Sequence, residues 1–477
     1  MKPLKLLDAF FLQVETAQTP MHVGALFVLQ PASDRERSGF FRRFRARVAA
    51  SLGRSEVFTR RVAALPFNVA NPFWISDGDV DLDYHVRRTV LPKPGTRHQL
   101  EECVADLHAE LMDRLRPLWE LHVIEGLEDG RIALYVKTHH AGLDGASAQI
   151  FLQSFVDTAP VAARGRARAS TRPPPGEDVG LPALVAAGFR HQAGELLRLP
   201  RTLGGLAGSV LDLVRESRPA SRDGRRLQPA PRTPLNGVID GRRGFSSCEF
   251  PLADAKAIAR AADATINDLV LAACAGALRR WLLARDALPP GPLRVAVPFS
   301  TRDAGDVDHS IRVSFMGVDL HTEYEEPLER LGAIHASAAE SKGTAAKLKT
   351  LVPGDLPSVG LPWLFGSLSR LVGRPEIADR LPLPANVIIS NVAGPPVPLY
   401  VAGLRAVTYT PVSIPFHTCA LNVTVYSYDG KLFFGLTSAS SALPDVHRLA
   451  DDVLAELHAL QQATARPRRR GSRRRAD

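Results

Sequence analysis

The stretch KTHHAGLDGAS, residues 137–147, decides the interpretation of this sequence. It overlaps the end of a strand-like run, RIALYVKT (131–138), in which alternate side chains share one face of a β-strand. Residues 145–157 then have the composition of a helix. Chemically versatile side chains are therefore concentrated where a strand gives way to a helix.

The adjacent histidines His139 and His140 are expected to lie on opposite faces of the strand if its alternation continues. His140 would then share the face of Ile132, and only one of the two imidazoles could face a substrate. Asp144 falls at a favourable N-cap position for the following helix, and Gly145 allows a tight turn there.

A neutral imidazole can remove the proton of an alcohol as that alcohol attacks a carbonyl group, a role that contributes roughly 10²–10⁴-fold in rate. We therefore predict that His140 is a general base and that Asp144 holds the loop in shape. A metal site is a rival interpretation, although adjacent histidines on opposite strand faces cannot easily chelate one ion. A third interpretation is that His139 and His140 are ordinary residues at the end of a strand.

Length and composition indicate two domains of ordinary size, because the chain has 477 residues of which 45 % are apolar and 23 % charged. The four cysteines are far apart and form no CxxC pair, so we expect reduced thiols in a cytoplasmic protein rather than a disulfide scaffold or structural zinc. No secretory signal and no stretch of ~18 uncharged apolar residues is found, so no membrane-spanning helix is expected.

Composition shifts divide the chain into four parts. We predict an α/β unit over 1–160, a Pro/Arg-rich linker with amphipathic helices over 161–237, a second α/β unit over 238–465 and a basic disordered tail over 466–477. The patterns predict strands at 24–30, 121–127, 131–138, 292–300, 312–320, 385–392, 421–430 and 431–438. They predict helices at 98–115, 145–157, 253–262, 267–284 and 445–462.

Positive charge is concentrated outside the predicted folded units. The net charge is +9, and the tail alone holds seven arginines against one aspartate. This distribution favours an anionic membrane surface, with nucleic acid or simple solvation as alternatives. The apolar segment 352–373 is either a surface element that dips into lipid or a core helix.

HHAGLDG (139–145) resembles the HHxxxDG motif of the coenzyme A-dependent acyltransferase superfamily. The chain further resembles the bacterial wax ester synthase/diacylglycerol acyltransferase family, through an ordered set of segments that covers nearly its whole length. These segments are LDAFFLQVETAQTPMHVGAL (7–26), PLWELHVIEGL (117–127), APRTPLNG (230–237), TINDLVLA (265–272), VPFSTR (297–302), SNVAGP (390–395) and LNVTVYSYDGKLFFGL (421–436).

The resemblance implies an α/β fold of two chloramphenicol-acetyltransferase-like sandwich domains around a central tunnel, with His140 at its centre. It implies direct transfer of a fatty acyl group from acyl-coenzyme A, a substrate, to diacylglycerol or a long-chain alcohol, with no cofactor or metal. Asn267 matches the family's ND asparagine and would donate to the thioester oxygen or oxyanion, although it could instead cap a helix.

The remaining motif residues are expected to be structural. Asp268 follows Asn267, and Pro117, Leu118 and Trp119 fix a turn against a core. Arg302 is a candidate partner for the Asp144 carboxylate.

Two other functions compete with this prediction. An acyltransferase of the condensation-domain or polyketide-associated type would use a carrier-bound acyl donor, and a lipid-inclusion coat or membrane adaptor would need no chemistry. We expect a cytoplasmic protein that is peripheral on the inner membrane face or on lipid inclusions and binds no nucleic acid. The sequence leaves acyl length, acceptor preference and oligomeric state open.

Overall fold

A computed structural model describes residues 1–65, 70–142, 145–160, 175–197, 229–300, 313–349 and 361–465. The strands within these ranges are β1 Lys2–Pro3, β2 His22–Gln30, β3 Arg60–Ala63, β4 Phe73–Ser76, β5 Val86–Val90, β6 Trp119–Glu125, β7 Ile132–His139, β8 Val156–Asp157, β9 Arg243–Pro251, β10 Arg294–Ser300, β11 Val313–Asp319, β12 Val387–Ala393, β13 Tyr400–Val401, β14 Leu404–Val412, β15 Leu421–Tyr428 and β16 Lys431–Ala439.

The helices in the same ranges are α1 Leu6–Val14, α2 Asp34–Ser38, α3 Phe40–Ala49, α4 Leu82–His85, α5 Arg97–Ala109, α6 Gly145–Gln153, α7 181–197, α8 Leu252–Ala261, α9 Ile266–Leu283, α10 Pro327–Lys349, α11 Leu361–Val372, α12 Pro375–Ala378 and α13 Val446–Ala465. A 3-10 turn, His140–Gly142, separates β7 from the residues before α6.

The first sheet is seven-stranded, in the order β5-β6-β7-β2-β14-β13-β8. Strand β7 lies between β6 and β2 and every one of its residues is buried. Ile132, Leu134 and Val136 pack into one apolar cluster, whereas Ala133 and Tyr135 pack into another on the opposite face beside α5. The alternation predicted from the sequence therefore holds along this strand.

The second sheet is six-stranded, in the order β11-β10-β12-β15-β16-β9, and helices α9, α10 and α13 contribute to its core. Strands β15 and β16 form a hairpin closed by Asp429 and Gly430, whose φ angles of 44° and 80° suit a two-residue turn. This confirms the hairpin predicted at Tyr428–Gly430. The arrangement of both sheets establishes the predicted two-domain α/β fold.

The two sheets are joined by an exchanged segment and by a polar contact. Strand β14, from the C-terminal half, pairs antiparallel with β2, so residues 404–412 belong to the first sheet. Elsewhere the buried Glu101 carboxylate of α5 accepts hydrogen bonds from Ser246 Oγ (3.0 Å), Ser247 N (3.0 Å) and Ser247 Oγ (2.8 Å) of β9. The two predicted units are thus connected by both backbone and side-chain bonds.

A small third sheet, β1-β4-β3, lies between the 3-10 turn and α7. Val62 and Trp74 pair across it and share a cluster with Ala141 of the turn. On its other face Phe73 packs with Leu184 of α7. Part of the predicted linker is therefore a helix built into the first half of the molecule.

Most predicted elements match observed ones within a few residues, and two differ for tertiary reasons. The predicted helix 98–115 ends at Ala109, because Glu110 is extended (φ −68°, ψ 130°) and its carbonyl accepts a 2.6 Å bond from buried Lys137 Nζ. The predicted helix 145–157 ends at Gln153, and Val156–Asp157 instead pairs with β13.

The apolar segment predicted at 352–373 is described only from residue 361, where it forms α11. Gly366 is buried, whereas Leu368 and Leu371 are exposed to solvent. Ser369 Oγ donates a 2.8 Å bond to the Val14 carbonyl at the end of α1. The described part of α11 is therefore a surface helix that covers α1.

Candidate active site

The backbone of the HHAGLDG motif is fixed by its neighbours up to Gly142. His139 N donates to the Leu118 carbonyl (3.1 Å) and His140 N to the Met21 carbonyl (2.9 Å). Arg60 Nη2 donates a 2.6 Å bond to the Gly142 carbonyl. Because the residues directly before β6 and β2 and the first residue of β3 all contribute, the position of this turn depends on three separate parts of the N-terminal half.

His139 is fully buried and is oriented by the carboxylate of Glu15. Its Nδ1 accepts a hydrogen bond from Ala141 N (3.1 Å), and its Nε2 lies 3.2 Å from Glu15 Oε1. An imidazole nitrogen that accepts an N–H carries no hydrogen, so the proton of neutral His139 is on Nε2 and faces Glu15. The first histidine of the motif is thus held in one tautomer.

Glu15, which follows α1, has four partners although only 3 % of its side chain is exposed. Oε1 also accepts a bond from Met21 N (3.0 Å) and lies 3.3 Å from His22 Nε2, and Oε2 accepts two bonds from Arg114, at 2.7 and 3.1 Å. Burial opposes ionisation, but the contacts with His139 and His22 lower the pKa of Glu15 far below its ordinary range. Glu15 is therefore a buried, ionised carboxylate.

A second set of polar side chains lies behind His139 on the same face of β7. Lys137 Nζ is 3.4 Å from Glu120 Oε2, which also contacts His122 Nε2 at 3.0 Å. Burial by itself raises the pKa of Glu120, but the contacts with His122 and Lys137 outweigh burial and lower this pKa to about 2. The Tyr135 hydroxyl donates to His108 Nδ1 (2.7 Å). Buried polar groups thus lie beside the apolar cluster on this face of β7.

The ring of His140 has different neighbours from the ring of His139. Its ring stacks on Phe11 of α1, with centroids 3.8 Å apart and planes inclined by 19°. Its Nδ1 is buried without a hydrogen-bond partner among the described residues, which leaves Nε2 as the nitrogen able to meet a substrate. Burial, together with the neighbouring His139, lowers the pKa of His140 to about 4. The ring is therefore neutral at pH 7.

The predicted strand alternation ends at His139, because the chain turns into the 3-10 segment at His140. His140 is thus presented by a turn and not by the strand face that carries Ile132. The two histidines nevertheless have the different environments that the sequence predicted.

An apolar cavity of about 140 Å³ lies next to the end of β7. Val136 and Thr138 of β7 line it, and its walls come from both sheets and from α6. The other lining residues are Val23, Gly24, Ala25, Ala148, Phe151, Leu152, Tyr409, Pro411, Val412, Ser413, Thr424 and Tyr426. The cavity therefore lies where the exchanged strand β14 joins the two halves, and its lining residues do not include His139 or His140.

The Pro117–Leu118–Trp119 motif packs beside this turn. Trp119 is fully buried, stacks on His85 with centroids 4.2 Å apart, and donates from Nε1 to the Phe58 carbonyl (3.1 Å). Leu118 contributes the carbonyl that accepts from His139 N. The motif thus contacts the histidine pair through its backbone.

Asn267 does not cap α9, so that alternative is wrong. Thr265 is the N-cap, and its hydroxyl accepts from Asp268 N (3.2 Å) while Asp268 Oδ2 accepts from Thr265 N (2.9 Å), a reciprocal capping box. Asp268 also contacts His335 Nδ1 at 2.8 Å. In the described part of the chain, the Asn267 side chain makes no hydrogen bond and is available to a ligand.

Asp144 and Arg302 lie outside the described residues, so their predicted contact does too. Gly145 is the first residue of α6. No group of three metal-ligating side chains occurs in the ranges that the structure describes.

The structure adds Glu15, Phe11 and Arg60 to the site. A signal for Glu15 exists in the sequence, since a lone carboxylate directly follows the apolar run of α1. Its partner His139 is 124 positions away, and no local pattern pairs them.

A buried histidine oriented by a carboxylate, followed by a neutral histidine where the central strand of the first sheet ends, is the arrangement expected of an HHxxxDG acyltransferase. Residues 4–270 match the wax ester synthase/diacylglycerol acyltransferase catalytic domain, and residues 312–461 match the WS/DGAT C-terminal domain. The chain therefore belongs to the wax ester synthase/diacylglycerol acyltransferase family and is an acyltransferase.

Two mycobacterial relatives are similar over almost their full length. A Mycobacterium tuberculosis protein, Rv3740c, which bears the name of a diacylglycerol O-acyltransferase, is 36 % identical over 459 residues, covering 96 % of this chain and 99 % of the relative. A second one, tgs2 of the same species, bears the same enzyme name and is 36 % identical over 465 residues, with 96 % and 98 % covered.

Among solved structures, the wax ester synthase/diacylglycerol acyltransferase from Marinobacter aquaeolei VT8 superposes with a TM-score of 0.69 at 30 % identity, covering 98 % of this chain and 100 % of that one. The first condensation domain of the calcium-dependent antibiotic synthetase superposes with a TM-score of 0.56 at 15 % identity, covering 98 % and 96 %. The second match extends the likeness of fold only.

Proposed function

We propose that this acyltransferase moves a long-chain acyl group from acyl-coenzyme A to the free hydroxyl of diacylglycerol, with His140 as the general base. The observation that carries the proposal is the state of His140, a neutral imidazole stacked on Phe11 with Nδ1 turned into protein. The names of the mycobacterial relatives support diacylglycerol as the acceptor.

The reaction needs one proton carrier and no covalent enzyme intermediate. His140 Nε2 takes the hydroxyl proton while the alcohol oxygen bonds to the thioester carbonyl carbon. The C–S bond then breaks, and the proton passes from His140 to the departing coenzyme A thiolate. Products are triacylglycerol and free coenzyme A, and His140 returns to its neutral form.

The fixed neighbours of His140 keep its Nε2 in position for this transfer. Phe11 supports one face of the ring, and the Met21 carbonyl holds its backbone. Asn267 is proposed to donate to the oxyanion that develops on the thioester carbonyl, a kind of interaction whose loss costs on the order of 100-fold in turnover. The apolar cavity beside Val136 suits an acyl chain.

Purified protein supplied with palmitoyl-coenzyme A and dioleoylglycerol should release free thiol, and His140→Ala should nearly abolish the release. His98→Ala is the matched control, because His98 is an exposed histidine of α5 that pairs with Glu102. Unchanged turnover in His140→Ala would rule out the general base. Hexadecanol as a parallel acceptor measures wax ester synthesis, and an acylated carrier protein as donor tests the condensation-type alternative.

We also propose that the protein acts at the inner membrane face or on lipid inclusions. Both substrates carry long acyl chains, and the linker and tail are rich in arginine. No single helix among the described residues has the length and hydropathy of a membrane span, and α8 and α9 reach that composition only together, as a pair bent by 95°. Deleting 466–477 should weaken binding to anionic vesicles at low salt.

A further inference from the structure

Two tyrosines in the wall of the apolar cavity have hydroxyls without a partner among the described residues. Tyr409 of β14 is only 7 % exposed and Tyr426 of β15 is half-buried, yet neither hydroxyl makes a hydrogen bond there. Burial raises the pKa of both phenols, so each keeps a hydrogen that it can donate. Buried polar groups are normally satisfied by protein, water or a ligand, so this pair indicates an occupant of the cavity.

The neighbouring Tyr428 shows how a satisfied hydroxyl is held in the same part of the molecule. It donates to the Ala406 carbonyl (2.8 Å) and accepts a hydrogen bond from Leu399 N (2.8 Å). Tyr428 is two residues from Tyr426, and its ring meets that of Tyr409 edge-on with centroids 5.9 Å apart. The missing partners are therefore a property of the cavity wall, because a tyrosine beside that wall has both of its bonds.

Packing fixes the two phenol rings. Tyr409 stacks on Phe27 with centroids 4.5 Å apart, and Tyr426 meets Tyr409 edge-on with centroids 5.1 Å apart. Burial, and after it the interaction with Tyr426, raises the pKa of Tyr409, so the two hydroxyls lie near each other. A ligand would therefore meet a preformed pair of donors and would not have to order them on binding.

The rest of the wall excludes charged ligands. No lining residue in the described ranges carries a charge, and the hydroxyls of Thr138 and Thr424 donate to the Val23 carbonyl (3.3 Å) and to Asn422 Oδ1 (3.1 Å). Ser413 adds one more hydroxyl without a partner among the described residues. An ionised phosphate or carboxylate would lose its hydration here without a counter-ion. The wall thus suits a neutral, mostly apolar group that accepts hydrogen bonds.

An ester group of diacylglycerol has these properties and the right dimensions. The cavity of about 140 Å³ is close to the roughly 150 Å³ that holds one benzene molecule, so it admits an ester and the first methylenes of its chain. Thr138 in the wall is two residues before His140, so their Cα atoms are at most about 7 Å apart. In 1,2-diacylglycerol about 5 Å separates the free hydroxyl oxygen from the nearest ester carbonyl carbon. A hydroxyl at His140 therefore brings an ester within reach of the cavity.

We propose that this cavity binds an ester group of the diacylglycerol acceptor, with the hydroxyls of Tyr409 and Tyr426 donating hydrogen bonds to its carbonyl oxygen. The proposal rests on the proposed function, because it assigns the acceptor side of the same reaction. The acyl group of the donor fits less well, since its one carbonyl is the thioester that must lie at His140. A fatty alcohol has no carbonyl, so the two tyrosines would favour diacylglycerol over it.

The test compares dioleoylglycerol with its diether analogue, which has the same chains and free hydroxyl but no carbonyl. Each lipid, in detergent micelles, displaces a fluorescent diacylglycerol from the full chain, so the measurement needs no turnover. The unmodified chain should bind the diester on the order of 10-fold more tightly, and Tyr409→Phe/Tyr426→Phe should bind both lipids equally. The proposal is overturned if the unmodified chain binds neither lipid, if it binds both equally, or if the double variant keeps the preference.

Tyr428→Phe is the matched control, because it removes a hydroxyl that is bonded within the protein. It should lower the urea midpoint of unfolding and keep the full preference for the diester. If the double variant fails to fold, Tyr409→Phe and Tyr426→Phe are measured singly, and each should reduce the preference about 3-fold. An unchanged preference in both single variants would assign the cavity to water only and overturn the ester site.

Thiol release from palmitoyl-coenzyme A distinguishes failure of this proposal from failure of the proposed function. A chain that uses dioleoylglycerol and the diether with equal kcat/KM overturns the ester site and leaves the proposed function intact. A chain that prefers the diester in the displacement measurement but releases no thiol with any acceptor refutes the proposed function and leaves the ester site intact.

Discussion

The carboxylate of Glu15 lies 3.2 Å from Nε2 of His139, and both groups are buried. Glu15 directly follows the first helix of the chain, and His139 is the last residue of β7, the central strand of the first sheet. This contact orients the first motif histidine and, through the peptide that follows, the backbone of His140.

Replacing Glu15 tests whether that contact positions the base. Glu15→Gln leaves Arg114 and two histidines without their shared charge, so the free energy of unfolding should fall by about 3 kcal/mol. Displacement of the turn should lower kcat on the order of 100-fold while KM for acyl-coenzyme A stays unchanged. Steady-state kinetics and urea unfolding measure the two effects.

The control for Glu15 is Glu249→Gln, which removes a carboxylate from the exposed pair with Lys431. It should change the free energy of unfolding by less than about 1 kcal/mol and leave kcat unaltered. A Glu15→Gln protein that is destabilised but keeps full kcat would restrict Glu15 to a structural role.

Variants of Asn267 and Thr265 distinguish a role in catalysis from a role in helix capping. Because Thr265 forms the cap, Thr265→Ala should lower the free energy of unfolding by about 1 kcal/mol. Asn267→Ala should leave stability nearly unchanged and lower kcat on the order of 100-fold, since it removes the proposed oxyanion donor. Normal kcat in Asn267→Ala would exclude that role.

The pKa of His140, lowered to about 4 by burial and by His139, sets the pH dependence of turnover. The ring is the required neutral base above that pKa, so kcat/KM should be flat from pH 6 to pH 8 and fall towards pH 4. A profile with its acid limb near the ordinary histidine pKa of ~6.5 would contradict the burial of His140 in the working enzyme.

The buried His22 makes a related prediction for stability. Burial lowers the pKa of folded His22 to about 4, although the contact with Glu15 acts in the opposite direction. In the unfolded chain the pKa is ~6.5, so between about pH 4 and ~6.5 the unfolded chain binds more protons than the folded chain. Stability is therefore full above ~6.5 and is lost as the pH falls through this window. At pH 5 the loss from His22 is about 2 kcal/mol, which urea unfolding can detect against a His22→Gln control.

Glu101 tests the contact between the two halves. Its carboxylate accepts three bonds from Ser246 and Ser247, so Glu101→Gln should destabilise the protein by about 2 kcal/mol. The neighbouring Glu102→Gln is the control, because Glu102 is exposed and contacts only the exposed His98 among the described side chains. Equal unfolding midpoints for the two variants would mean that this contact contributes nothing.

The sequence predicts the parts of this protein that depend on local patterns. The alternation in Ile132–His139 identifies β7, and Asp429–Gly430 identifies the hairpin of β15 and β16, because the necessary information lies within a few residues. The short motif at 139–145 likewise predicts an acyltransferase, which the family match confirms, because the motif is contiguous in the sequence.

Features that depend on distant residues are not predicted. Lys137 Nζ helps to end α5 at Ala109 by bonding the Glu110 carbonyl, and neither residue alone indicates this. Strand pairing between Val156–Asp157 and β13 overrides a helical composition in the same way. Glu15 is found only once α1 and β7 are brought together.

The exchange of β14 into the first sheet bears on how this molecule can be cut and rebuilt. Without residues 404–412, β2 would become an open sheet edge with unpaired amides and carbonyls, a template for aggregation. The half that precedes position 237 is therefore not an autonomous folding unit, and a ribosome must deliver nearly the entire polypeptide before the first sheet can be completed.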